Sequence, residues 1–91
     1  MKTGIELIAN ERQEQIEKHG RNINSDVNGN SHNELRDAAI VLLSNWPMII
    51  DFPDSWQGSI MEHAIKKSYK ERLIIAGALI AAEIDRLQSI D

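Results

Sequence analysis

Apolar residues recur along the chain with the period of a helix, and the breaks between them are dense in turn-forming residues. Over residues 3–19, Ile5, Ile8, Ala9 and Ile16 recur at helical spacing, and Gly20 marks a stop. The next stretch, RNINSDVNGNS, is built from Asn, Ser, Asp and Gly and reads as a loop. A second helix is expected over 31–44: Ser31-His-Asn-Glu34 has the form of a capping box, with the apolar run Leu35 to Leu43 behind it. It stops before Trp46-Pro47, because proline disfavours helical backbone in the residue that precedes it. Residues 45–58 hold both prolines and both tryptophans and read as a long connection lying on the core, followed by a short helix within 59–67. The last helix, 68–89, opens on a second capping box, Ser68-Tyr-Lys-Glu71. Its middle, LIIAGALIAA, is apolar all round, which predicts a buried central helix.

Composition agrees with an all-α class. The chain has 14 Ile, 8 Ala and 7 Leu but only 2 Val, with 4% aromatic residues, a balance that favours helix over sheet. With 91 residues it is one domain, too short for a doubly wound nucleotide-binding fold or a barrel. The expected architecture is therefore a small bundle of three main helices, about 3–19, 31–44 and 68–89, joined by the Trp/Pro connection and completed by dimerisation.

Charge and residue usage narrow the chemistry. A net charge of −4 without a basic patch argues against nucleic acid as a partner. The absence of cysteine excludes disulfides, zinc–thiolate centres and thiol catalysis. The N-terminal stretch turns charged at once, unlike a secretion signal. The apolar run from Leu73 to Ala82 is too short to span a bilayer, so a cytoplasmic protein without membrane contact is expected.

Polar residues on apolar faces carry the candidate chemistry, since burying an unpaired charge costs several kcal/mol. Glu83 has Ala76, Leu79, Ile80, Leu87 and Ile90 as its helical neighbours. It is either a metal-ligating or acid–base carboxylate, or one half of a salt bridge, for example to Arg12. Glu34 shares a stripe with Ala38 and Val41, and Asp37 lies on the same half of that helix; the bland role for Glu34 is the return arm of the capping box. Arg12 falls in the centre of the Ile5/Ile8/Ile16 face, placed to pair with Glu83 or Glu34 or to meet a phosphate. Glu11 and Glu14 form a Glu-x-x-Glu pair beside that face. His32 stands at a helix start, where anions are favoured. Trp46 and Trp56 read as core cover, with base stacking as the alternative.

Glu11-Arg-Gln-Glu14 followed by Glu34-Leu-Arg-Asp37 resembles the signature of the MazG-like, all-α nucleotide pyrophosphohydrolases: Glu-x-x-Glu, an intervening stretch, then Glu-x-x-Asp. A second likeness covers most of the chain and is to small bacterial and phage proteins of the same broad type. It runs through Glu11, Arg12, Gln15 and Gly20, then His32 and Glu34-Leu-Arg-Asp-Ala-Ala39, then Trp46-Pro47 and Trp56, and ends on Ala76 to Leu87. The first likeness uses Glu14 and Asp37; the second makes Glu11, Glu34 and Glu83 the shared acids.

What the resemblance implies is a magnesium- or manganese-dependent enzyme that hydrolyses nucleoside triphosphates to monophosphate and pyrophosphate, acting as a homo-oligomer. Glu34, Glu83 and Glu11 would be catalytic, with Glu34, Glu83, Glu11 and Asp37 as metal ligands. Arg12, His32 and Lys18 would contact phosphate and Trp46 would cover the base. The alternative is an interaction module of phage or mobile-element origin that kept the bundle without the chemistry, its carboxylates paired with Arg12 or Arg72.

Overall fold

The computed structural model describes residues 1–19, 33–45, 47–53, 56 and 58–89, and their side chains except those of Lys18, His19, Ile49, Ser59 and Ile60. Among the described residues the helices are α1 (Gly4–His19), α2 (Glu34–Leu43), α3 (Ser59–Ile65) and α4 (Tyr69–Ser89), with a 3-10 turn, Ile49–Asp51, between α2 and α3. No strand occurs among the described residues. The chain is an all-α bundle, as its periodicity predicts.

The helix starts show which capping signals are used. α1 opens on a complete capping box that the apolar pattern alone does not reveal. Glu6 N–H donates to Thr3 Oγ1 at 3.3 Å while Thr3 N–H donates to Glu6 Oε1 at 3.0 Å. The Thr3 backbone N–H first, and the Thr3 hydroxyl second, favour the charged form and hold the Glu6 carboxyl below its ordinary pKa. At α4 the expected Ser68 cap forms, with Glu71 N–H donating to Ser68 Oγ at 3.2 Å. The expected box at Ser31 does not start α2. The helix begins at Glu34, and its N-cap is Asn33 in the left-handed conformation (φ 68°) with no side-chain cap bond. Asn is among the few residues that visit this region readily. Glu34 is thus the first residue of the helix rather than the third. Ser31 and His32 lie outside the described residues.

α4 is the hub. α2 packs along it antiparallel: Arg36 near the start of α2 lines a groove with Glu83 and Ile84, while the end of α2 meets Arg72. Arg72 Nη1 donates to the Leu42 and Ser44 carbonyls at 2.9 and 2.8 Å. It thereby closes the C-terminus of α2, where carbonyls lack partners and the helix dipole favours a cation. Arg72 is a helix cap, not the carboxylate partner that one sequence expectation made it. α1 lies parallel to α4, with Ile8 over Gly77 and Arg12 reaching Asp85.

The core forms between α2 and α4 and is closed from below by the connection. Leu35, Leu42 and Leu79 are its largest fully buried side chains, and Ala38, Ala39, Ala76 and Ala82 let the two helices approach closely. Phe52 and Trp56 of the connection and Met61 and Ala64 of α3 complete it, so the connection does lie on the core. The short helix expected within 59–67 is α3.

Two sequence expectations fail here. α1 sends no residue into this apolar cluster. Ile5 is 83% exposed and Ala9 is exposed, and the buried residues of α1 are Arg12 and Gln15. Nor is α4 buried on every side: Leu73, Ile80, Ile84 and Leu87 are between 38% and 51% exposed. The described helices are too few to surround α4, so one apolar flank stays open.

Candidate functional site

The order of the helices gathers polar chemistry at one end of the bundle. Because α1 runs parallel and α2 antiparallel to α4, the second half of α1, the start of α2 and the last third of α4 share that end. Arg12, Gln15, Glu34, Asp37, Glu83, Asp85 and Arg86 all belong to it. Arg12, Gln15 and Arg86 are buried, an unusual group for so small a domain.

Glu83 is drawn to a neighbour on its own helix. Arg86 Nε donates to Glu83 Oε1 at 2.6 Å and Arg86 Nη2 donates to Oε2 at 3.2 Å, a two-pronged pair one turn apart. The two side chains are 14% and 6% exposed. The salt-bridge role foreseen for Glu83 is therefore filled, but by Arg86 and not by Arg12. Arg12 Nη2 instead reaches Asp85 Oδ2 at 3.4 Å, two residues further along α4. Arg86 and Asp85 were not singled out from the sequence. The helical wheel carries the signal for Arg86, which stands four residues after Ala82 and seven after Leu79 on the buried face.

The remaining candidates are spread. Asp37 is half-buried and held by its neighbour Arg36 at 2.9 Å. Glu34 is half-buried at the start of α2. Glu11 accepts from Gln15 Nε2 at 3.3 Å and lines a separate cleft of about 290 Å³ with Glu14, Lys67 and Glu71, toward the other end of the α1–α4 pair. Gln15 Oε1 is buried with no hydrogen-bond partner among the described residues. His32, Trp46 and the Lys18 side chain, expected at phosphate and base, lie outside the described residues. Trp56 is core cover.

Among the described residues no three acidic or histidine side chains come together as a group that would hold a metal ion. Glu11, Glu34, Glu83 and Asp37, the ligands that the family resemblance implies, do not make up such a group among the described residues. Of these four, Glu83 pairs with the buried Arg86, and the neighbouring Asp85 pairs with the buried Arg12.

By fold the chain is a small all-α bundle. Compared with known proteins, it matches no family model, no curated protein and no solved structure. No helix among the described residues is long and apolar enough to cross a membrane.

Proposed function

We propose that this protein is a MazG-like helical bundle that takes a nucleoside triphosphate at the end where α1, α2 and α4 meet. The supporting observation is the shared end itself: the Glu34-x-x-Asp37 pair opens α2, whose Arg36 lines a groove with Glu83, at the end of the bundle that also holds the buried Arg12 and Arg86. Guanidinium groups recognise phosphate oxygens with two prongs. In this reading Glu83 is a positioning residue. It holds the Arg86 guanidinium in a fixed orientation, and both of its oxygens are engaged in doing so. Lys18, His32 and Trp46 keep their assigned roles toward phosphate and base.

A second reading is favoured by one observation. Glu83 is locked to an arginine on its own helix. On that basis the chain is a non-catalytic interaction module that retains the bundle.

Thermal unfolding with a panel of nucleoside triphosphates, with and without magnesium or manganese, separates the two. A ligand of the native state raises the midpoint by mass action. The nucleotide reading expects a rise that Glu34→Gln and Asp37→Asn abolish, together with pyrophosphate release. A rise without pyrophosphate release supports binding without turnover. No rise with any nucleotide overturns the nucleotide reading and leaves the interaction module.

A further inference from the structure

Gln15 holds a polar atom that the fold leaves over. The side chain is 2% exposed and continues the line of Ile8 and Arg12, which touch α4. Its Nε2 donates to Glu11 Oε2 at 3.3 Å, while Oε1 is buried and has no hydrogen-bond partner among the described residues. The carboxylate fixes the orientation of the amide. A carboxylate only accepts, so Glu11 takes the nitrogen and leaves the oxygen turned away from it. Gln13 makes the same kind of bond to Glu17, at 2.9 Å, but on the exposed side of α1, where water satisfies its oxygen. At Gln15 that remedy is missing. A buried acceptor without a donor lowers stability, and Met or Leu would fill the space without that cost. The glutamine is accounted for by a donor that arrives with a ligand.

We propose that Gln15 is a specificity-determining residue, its Oε1 accepting a hydrogen bond from a sugar hydroxyl of the bound nucleoside triphosphate. The inference rests on the nucleotide reading above and names the part of the ligand that α1 reads. Three points select the hydroxyl. An ionised triphosphate offers acceptors, which Oε1 repels, so the donor belongs to the sugar or the base. Gln15 follows Arg12 on the same face by three residues, a rise of about 4.5 Å. With Arg12 turned to phosphate, the sugar is the next group along the nucleotide, and the base edge lies beyond it. Lastly, a side chain only 2% exposed is reached by a hydroxyl more readily than by a ring.

The test has two arms, both on the full chain. The first needs no ligand. Gln15→Met is expected to unfold at or above the wild-type midpoint, because it removes an acceptor that lacks a donor. Gln15→Leu is the substitute if the methionine variant does not fold. A clear fall in the midpoint of the variant that folds overturns the proposal, since the oxygen is then already satisfied within the protein. The second arm is calorimetric titration with α,β-imido nucleoside triphosphates, which resist pyrophosphate release, in ribo, 2′-deoxy and 2′,3′-dideoxy form. The wild type is expected to bind the dideoxy form at least about tenfold more weakly than the ribo form, because a site built to bond a hydroxyl rejects the analogue lacking it. Gln15→Met is expected to bind all three alike. The 2′-deoxy form then assigns the hydroxyl: affinity like the ribo form marks the 3′ position, affinity like the dideoxy form the 2′ position. Equal affinity of the wild type for all three, or discrimination that follows the base and not the sugar, overturns the role of Gln15 and leaves the nucleotide reading standing. No binding of any nucleotide overturns both.

Discussion

A carboxylate set among mostly apolar helical neighbours has to be neutralised or hydrated, and Glu83 is neutralised by Arg86, one turn on. The choice of Arg86 over Arg12 follows from geometry. On a helix, residues three apart already face each other, so the pair needs no inter-helix register. Once made, the pair resists being broken from one side. Glu83→Ala leaves the guanidinium of Arg86 buried without its main counter-charge. We expect a loss of about 2–3 kcal/mol, somewhat below the roughly 3–5 kcal/mol of an isolated buried pair because Arg86 is held by more than Glu83. Arg86→Met alone strands the carboxylate and is expected to cost a similar amount. The double substitution Glu83→Ala/Arg86→Met is expected to cost clearly less than the sum. Urea unfolding of the four proteins checks this, and strict additivity would show that the two side chains do not support each other.

Each helix is attached in a different way, and the difference sets its stability. α2 is clamped by its leucines and alanines and by the Arg72 cap, whereas α1 hangs on the contact of Ile8 with Gly77 and on the Arg12–Asp85 pair. A Cβ added at Gly77 would stand 2.7 Å from Ile8 Cδ1 and 3.0 Å from Cγ1. Alanine gains about 1 kcal/mol of helix propensity, but the overpacking costs about 1–3 kcal/mol, so Gly77→Ala is expected to be net destabilising. Ile8→Val removes the closest atom and is expected to recover part of that loss in the double variant, measured as the shift in unfolding midpoint. The N-terminus of α1 has its own pH dependence. Glu6 has a folded-state pKa below its unfolded value, so its capping contribution is present above the ordinary carboxylate range. That contribution is lost as the pH falls through the lowered pKa. Carboxyl titration by NMR should show Glu6 below the ordinary glutamate value, and Thr3→Ala, which removes the hydroxyl but keeps the backbone N–H, should raise it part of the way.

At the scale of the molecule, the helical frame was legible because period and punctuation act locally. The stop after residue 19, the Ser68 cap and the Trp/Pro connection all follow from neighbouring residues. The partners of Arg12 and Glu83 were not legible, since choosing among Glu34, Glu83 and Asp85 depends on how α1 settles on α4. The open flank of α4 was also hidden: a run of apolar residues reads as buried whether this chain or another surface covers it. Two adjacent residues separate these cases. Leu79 is fully buried in the core and Ile80 is 46% exposed on the open flank. For a chain of this length the total stability is roughly 5–14 kcal/mol. Leu79→Ala should remove about 2–5 kcal/mol of it by opening a cavity. That loss should be the same at every protein concentration, because the cavity lies inside one protomer. Ile80→Ala should cost little in dilute solution, where its side chain keeps its water. If the flank is covered by a second copy, the wild-type midpoint rises with concentration and the Ile80→Ala protein falls progressively behind it. Thermal unfolding over a wide concentration range measures both. A wild-type midpoint independent of concentration, with Ile80→Ala matching it throughout, would mean that the stripe contributes nothing to assembly and that α4 holds the fold through its inner face alone.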